Sequence, residues 1–337
     1  MRILIVEPEL HGHKAFYLVL ILKAFEEHEL TVLTQPEHPA LQEQATLHKI
    51  ELNQFNLLPV ASAKPDQVYA QAGQLTQQEE FDHVFINYLD QYLEFILRSP
   101  TVLNARISGI WFHPYALDKI YRWLPPVDKR ARVRTRTHRS LKSATASRLL
   151  HHIFFLEPTA PNNLKGINPN LASTVLPDPG ERSPTLSKVK ARQRFGLPND
   201  RTIFLHAGSP EKRKGLPDVI QAFTRLAALD DDLSKKIFLL RVGPNQRLSH
   251  DSLTQLNHLV TRNTAMATGE FVNAADFIEY FAAADVILIP YRKFRFSSGI
   301  LANAKAAGRP VIASRNGLIG RQVEADHLGL TFTNRSG

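Results

Sequence analysis

The sequence predicts an α/β protein of two doubly wound domains with parallel sheets, and three observations predict it. Short apolar runs closed by loops alternate with amphipathic helical stretches along most of the chain. The 337 residues, 43% hydrophobic and 22% charged, are more than one core usually serves. A Pro-rich stretch interrupts the alternation near its middle. The expected domains are residues 1–176 and 185–337.

Arg2–Val6 is the first expected strand. It is followed by the loop Glu7–His13 with Gly12, then a helix through about His28 whose apolar positions Phe16, Val19, Leu20 and Phe25 recur at helical spacing. Leu30–Leu33 is the next strand. A strand running into a Gly-containing loop and a helix opens a doubly wound domain, and ligands gather beyond the carboxyl ends of such strands. His11 and His13 lie on this loop, where imidazoles are more often structural or substrate-facing than metal ligands, so no metal is expected. The alternation continues with a helix around Asp66–Gln78, strand His83–Asn87, helix Gln91–Arg98 and strand Arg106–Phe112. His113 follows, and Pro114 fixes the turn, leaving the imidazole where an α/β sheet presents functional groups; a buried or capping histidine fits equally.

Val127–Leu150 carries Lys129, Arg130, Arg132, Arg134, Arg136, Arg139, Lys142 and Arg148 against Asp128 alone. Val133, Thr137, Leu141 and Ala144 recur at helical spacing, which predicts a basic amphipathic helix. An anionic membrane surface suits it better than nucleic acid, because Tyr115, Tyr121 and Trp123 precede the cations instead of interleaving with them. A solvated face is the plainer alternative. Strand His152–Leu156 closes the first domain, and the run from Pro158 to Pro184 holds the boundary, with the linker at Leu176–Pro184.

In the second domain the expected elements are strand Thr202–His206, helix Pro217–Ala228, strand Lys236–Val242, helix His250–Arg262, strand Gly269–Val272 and helix Ala274–Ala283. Asp230–Asp232 is expected as a solvated turn. Asp285–Ser314 then forms a strand, loop, helix and strand: Val286–Ile289 closes at Pro290, and Val311–Ala313 follows Pro310. Ser297 or Ser298 would cap a helix beginning near Gly299, and Ala302, Ala304, Ala306, Ala307 and Gly308 would let it pack closely on the sheet. Free N–H groups and the positive end of the dipole suit such a helix start to a phosphate, which Gly299 lets approach the main chain. An ordinary capped helix is the alternative.

A second anion signal precedes it. HAGSPEKRKG places Lys212, Arg213, Lys214 and Gly215 in a loop between strand and helix, a charge density suited to a diphosphate. The spacing from Gly208 does not fit a P-loop. The formal charge of +9 points to anionic partners of some kind, whether phosphates, acidic lipid headgroups or nucleic acid. Absence of Cys excludes disulfides and thiolate metal sites and suits a reducing compartment. Met1–Val6 meets Glu7 and Pro8 too soon for an export signal, and Phe16–Leu22 stops at Lys23 too soon to span a bilayer. A soluble cytoplasmic protein is expected.

Taken with TGEFVNAADFIEYFAAADVILIPY and AAGRPVIASRNGLIG, in this order and spacing, these stretches resemble the second domain of family 4 nucleotide-sugar glycosyltransferases of GT-B fold. The resemblance covers Thr202–Leu330 well and the first domain in outline. It implies two Rossmann-like domains with parallel sheets facing an inter-domain cleft, the acceptor held by the first and the nucleotide-sugar donor by the second. Arg213 and Lys214 would neutralise the diphosphate beside Gly208 and Ser209, and Ser297, Ser298, Gly299, Ile300 and Leu301 would hold it at the helix start. Glu270, Phe271 and Val272 would form the turn beside the base, with His113 near the donor sugar and Gly12 near its phosphate.

Where the family has two Glu eight positions apart, this sequence has Arg295 and Asn303. Asn303 can hydrogen-bond ribose hydroxyls, whereas the Arg295 side chain offers them no acceptor. The chain also ends at Gly337, soon after an expected strand Leu330–Phe332, where the family continues into further helices, and either a short variant or a truncated sequence is expected from this. The activity implied is retaining transfer of a hexose from a donor such as UDP-glucose to a lipid-linked or polysaccharide acceptor. No cofactor or metal is expected, the cations standing where a DxD motif would place one. Attachment to the inner face of the membrane would follow from the basic helix. Two alternatives are a non-catalytic nucleotide-sugar-binding subunit, suggested by Arg295 and Asn303, and a nucleic-acid-binding module, suggested by the net charge.

Overall fold

The computed structural model of the chain describes residues 1–98, 103–117, 129–181 and 185–333, and it divides into two compact units, Met1–Pro177 and Asp178–Gly337. In the first, β1 (Arg2–Val6) leads through α1 (Lys14–Ala24) to β2 (Glu29–Thr34), α2 (Pro39–His48), β3 (Asn56–Pro59) and α3 (Pro65–Gln78). There follow β4 (His83–Ile86), α4 (Leu93–Arg98), β5 (Arg106–Trp111), α5 (Lys129–Leu141), α6 (Ala144–Leu149), β6 (Leu150–Phe155), α7 (Ala160–Lys165) and β7 (Ser173–Val175). The strands are parallel in the order β3-β2-β1-β4-β5-β6-β7. After Arg2, β1 is apolar because helices cover both faces of such a sheet: Leu4 and Val6 enter the core on one side, Ile3 and Ile5 on the other.

The second unit contains α8 (Lys188–Arg194), β8 (Thr202–Ala207), α9 (Leu216–Leu229), α10 (Asp231–Lys236), β9 (Ile237–Pro244), α11 (His250–Thr261) and β10 (Ala265–Gly269). It continues with α12 (Ala274–Ala283), β11 (Val286–Ile289), α13 (Gly299–Ala306), β12 (Val311–Ser314), α14 (Gly317–Ala325) and β13 (Gly329–Phe332). Its sheet is again parallel, β10-β9-β8-β11-β12-β13. In both units the first strand lies centrally and the order reverses beside it, which is the Rossmann-like arrangement with a ligand crevice at the reversal. That reversal falls between β1 and β4 in the first unit and between β8 and β11 in the second.

Several expectations shift. α1 stops at Ala24 rather than near His28, and β6 begins at Leu150, two residues early. The basic stretch is two helices: Ser143 is extended and its side chain accepts from Ala146 N, capping a new helix instead of continuing the old one. Thr137 and Leu141 are buried, Leu141 at 0% exposure in the core of the first unit, while Arg136, Arg139, Lys142 and Arg148 face outward. Val127, Asp128, Tyr121 and Trp123 lie outside the described residues.

The Pro-rich run conceals α7 and β7, since Pro161 sits in the first turn of α7, where its missing N–H costs nothing. Of the stretch Leu176–Pro184, residues 182–184 lie outside the described residues. Glu181 N donates to Asn303 Oδ1 (2.7 Å), and Thr185 N, Thr185 Oγ1 and Leu186 N all donate to the buried Glu279 carboxylate, so Glu181 and Thr185–Leu186 are each fastened within the second unit. β10 ends at Gly269 rather than running to Val272, because Gly269 turns with φ +76°. Asp230 is an N-cap and not a free turn residue, its carboxylate accepting from Leu233 N at the start of α10.

Candidate functional site

The second unit assembles its candidate site at the carboxyl ends of β8 and β11. After β8 the chain passes Gly208 and Ser209 into a single 3₁₀ turn, Lys212–Lys214, that ends at Gly215. Two hydrogen bonds pin this loop: His206 Nε2 donates to Lys214 O (3.0 Å), and Arg292 N, in the loop after β11, donates to Arg213 O (2.6 Å).

The adjacent cations differ in state. Arg213 Nε donates to Glu211 Oε2 (2.7 Å), and the guanidinium lies 4.4 Å from the Phe294 ring centroid and 5.7 Å from that of Tyr291. Ser209 Oγ donates to the other Glu211 oxygen (2.9 Å). Burial acts to raise the Glu211 carboxyl, but Arg213, Ser209 and Lys214 together outweigh it and hold the group below its ordinary value. Lys214, by contrast, makes no hydrogen bond or ion pair through its ammonium among the described residues. Burial, with Arg213 beside it, pushes Lys214 down to about 8.

Gly208 is where the parts meet. Its φ is +107°, and a methyl on its Cα would stand 2.5 Å from Lys214 Nζ and 3.9 Å from Ile300 Cδ1. The ammonium therefore lies directly against the Gly208 backbone, beside the first turn of α13. Ser298, one of the two expected caps, is the N-cap of that helix: its Oγ accepts from Ile300 N (3.3 Å). Ile300 and Leu301 anchor the turn in the core, while Gly299 is exposed with open space where a Cβ would be. Lys214, Gly208 and the α13 start form one cationic corner.

The remaining expected residues are placed as follows. Glu270, Phe271 and Val272 form the turn after β10, with Phe271 76% exposed. Asn303, just over one turn into α13, accepts from Glu181 N through its Oδ1. Ser297 is half-buried beside the cap and Arg295 lies two residues before it, its carbonyl accepting from Leu318 N (3.0 Å).

In the first unit, Gly12 is exposed on the loop after β1 and His113 follows β5. His113 Nδ1 is 3.0 Å from Tyr88 Oη and 3.3 Å from Asp90 Oδ1, and the Asp90 carboxylate also accepts from Phe112 N and His113 N (2.9 and 2.8 Å). Asp90 thus orients the imidazole, a partner not evident in sequence. Beneath the Gly12 loop the buried Glu7 accepts from Asn87 Nδ2 (2.9 Å) and Glu9 N (3.1 Å), and burial pushes its carboxyl up to about 7. Glu7 is a second feature missed, since a lone Glu after a strand carries no distinguishing signal. Among the described residues, no group of three or more His, Cys, Asp or Glu is placed to hold a metal ion, and no helix is long and apolar enough to cross a membrane.

Residues 201–336 match the protein family described as Glycosyl transferases group 1. D-inositol 3-phosphate glycosyltransferase 1 of Catenulispora acidiphila is 30% identical over 182 residues, covering 50% of this chain and 41% of that protein. The chain therefore spans about two fifths of the length of this curated relative. Among solved structures, sucrose-phosphate synthase from Thermosynechococcus elongatus superposes with a TM-score of 0.70 at 15% identity, covering 100% of this chain and 86% of the other. Anabaena HepE in complex with UDP-glucose gives 0.67 at 16% identity, covering 99% and 86%. These likenesses establish the fold, the GT-B architecture of two Rossmann-like domains.

Proposed function

We propose, on the premise that residues 201–336 belong to the group 1 glycosyl transferases, that this chain is a retaining hexosyltransferase using a nucleotide diphosphate sugar such as UDP-glucose. The observation that carries the reading is the meeting of the Lys214 ammonium, which has no partner among the described residues, with the Gly208 backbone and the open first turn of α13. A diphosphate there gains a cation and backbone N–H donors at once, in a site whose burial strengthens both. The relative named for glycosyl transfer to an inositol phosphate, and the neighbour holding UDP-glucose, support the same class.

In the proposed step the bond from the anomeric carbon to the diphosphate oxygen breaks, and the acceptor oxygen bonds to that carbon on the same face. The leaving diphosphate takes the acceptor proton. Lys214 and the α13 amides stabilise the charge that develops on the leaving oxygen, while Arg213, held by Glu211 and stacked on Phe294, adds a cation of fixed direction. The cations do the work asked of a metal in other transferases, so the proposal requires neither metal nor cofactor. Glu270–Val272 would flank the base, Ser209 and Ser297 the phosphates, Asn303 the ribose, and His113 and Gly12 the sugar side. The proposed acceptor is a lipid-linked or polysaccharide glycan.

Incubation with a panel of nucleotide sugars, reading affinity and slow hydrolysis together, tests the proposal. Binding with turnover is expected. Binding without turnover would favour a non-catalytic donor-binding subunit, a reading supported by the engagement of Asn303 with Glu181 and by Arg295. No binding at all would reject both in favour of the nucleic-acid alternative.

A cytoplasmic location at the membrane face belongs to the same proposal. Because α5 turns its buried side into the first unit, the attraction of this basic stretch to lipid would be electrostatic, through Arg136 and Arg139 of α5, Lys142 after it and Arg148 of α6. Each such cation is worth about 1 kcal/mol near an anionic surface. Flotation with vesicles is expected to rise with acidic lipid and fall with salt; recovery independent of both would leave this a solvated face.

A further inference from the structure

Arg241, in the interior of β9, is 0% exposed, and none of the described residues gives it a carboxylate partner. Its hydrogen bonds go instead to the ends of two neighbouring strands. Nη2 donates to Gly208 O and to Pro244 O, both at 2.8 Å, Nη1 to Val242 O at 2.6 Å, and Nε to Asn245 Oδ1 at 3.3 Å. Neutral acceptors satisfy the donors of a guanidinium but do not cancel its charge, and an isolated buried charge is costly. A packing role alone would be served by an apolar residue such as those at Leu239 and Leu240.

We infer that Arg241 is a positioning residue of the anion site: its planar fork holds the Gly208 and Pro244 carbonyls, fixes the backbone against which Lys214 lies, and leaves a buried positive charge for the bound anion to balance. The inference rests on the diphosphate reading above and extends it to a residue that need not touch the ligand. Lys could not replace it, because a single ammonium cannot reach carbonyls on both strand ends with the geometry of a fork. His206, from β8, completes the frame. It donates through Nε2 to Lys214 O, its Nδ1 is buried without a hydrogen-bond partner among the described residues, and burial with Arg241 beside it holds it neutral, its pKa lowered to about 3.

The charge of Arg241 also reaches Lys214 electrostatically, together with Glu211 and Arg213 on the Lys214 turn, while His206 stays uncharged. Arg241 and Arg213 disfavour protonation of Lys214, and Glu211 favours it. The wild-type affinity for UDP is accordingly expected to be full below about pH 8 and to fall above it as Lys214 loses its proton. Removing the charge of Arg241 should move that fall to higher pH and weaken binding below it.

The test is calorimetric titration of UDP from neutral to alkaline pH on the wild type, Arg241→Gln and Asn245→Asp, each with a melting curve. Asn245→Asp changes a loop side chain and supplies the missing counter-charge, so it remains informative should Arg241→Gln fail to fold. Both are expected to weaken UDP by about tenfold near neutrality and to shift the alkaline fall upward. Unchanged affinity and midpoint in Asn245→Asp, whatever its melting temperature, would make Arg241 purely structural and overturn the inference while leaving the diphosphate reading intact. If wild-type protein binds neither UDP, GDP nor ADP, the diphosphate reading fails and the inference falls with it.

Discussion

Replacing Lys214 with Met is expected to lower transfer by about a hundred- to a thousandfold, since a preorganised group facing the developing charge typically contributes about 3–4 kcal/mol. Met retains the length and apolar stem of Lys, so the change isolates the charge. Stability should hold or rise, because the ammonium is desolvated and makes no ion pair among the described residues. The pH dependence has a definite sign. A lysine depressed to about 8 is cationic below that value, so wild-type binding of UDP should be lost as pH rises through it, and Lys214→Met should show no such step. Arg213→Met should cost less than Lys214→Met, because Glu211 already offsets part of the Arg213 charge. Steady-state kinetics beside UDP calorimetry decide the matter. Equal kcat/KM in wild type and Lys214→Met would remove Lys214 from the site.

What the sequence disclosed of this site followed from contiguity. Lys212–Gly215 and Ser297–Leu301 are each a few consecutive residues whose types match a phosphate, and both flank apolar strand runs that periodicity finds easily. Glu211, Phe294 and Arg241 escaped notice because their roles exist only after folding: Phe294 reaches Arg213 from the loop after β11, and Arg241 reaches Gly208 across a strand pair. In sequence Arg241 is merely a charge inside the strand Lys236–Val242.

The fold class was accessible through the alternation of strand and helix, while the strand order and α2, β3, α7, β7, α8, α10 and α14 were not. α7 and β7 stand within a Pro-rich run that looks like linker, and α10 is a six-residue helix whose stability comes from the Asp230 cap rather than from periodic apolar residues. Sequence propensity places β10 four residues late because Phe271 and Val272 are strong β formers, yet Ala265 and Met266 pair with β9 and Phe271 faces solvent.

Gly299→Val is expected to abolish measurable UDP binding while leaving the melting temperature nearly unchanged. Gly299 is the first residue of α13, it is exposed, and nothing lies within 4 Å of where its Cβ would be. Its φ lies outside the left-handed region, so a β-branched residue meets neither backbone strain nor a clash within the protein. The helix cap is also independent of it, because Ser298 supplies the oxygen and Ile300 the N–H. What valine would fill is the approach to the amides of the first turn, beside Gly208 and Lys214, and a bulky anion cannot share that space. If Ser297–Gly299 only begins a helix, valine should leave ligand affinity alone and alter stability by a few tenths of a kcal/mol through propensity. Calorimetry with UDP and a melting curve on the same protein separate the two, and a Gly299→Val variant that binds UDP as tightly as the wild type would place the diphosphate somewhere other than this helix start.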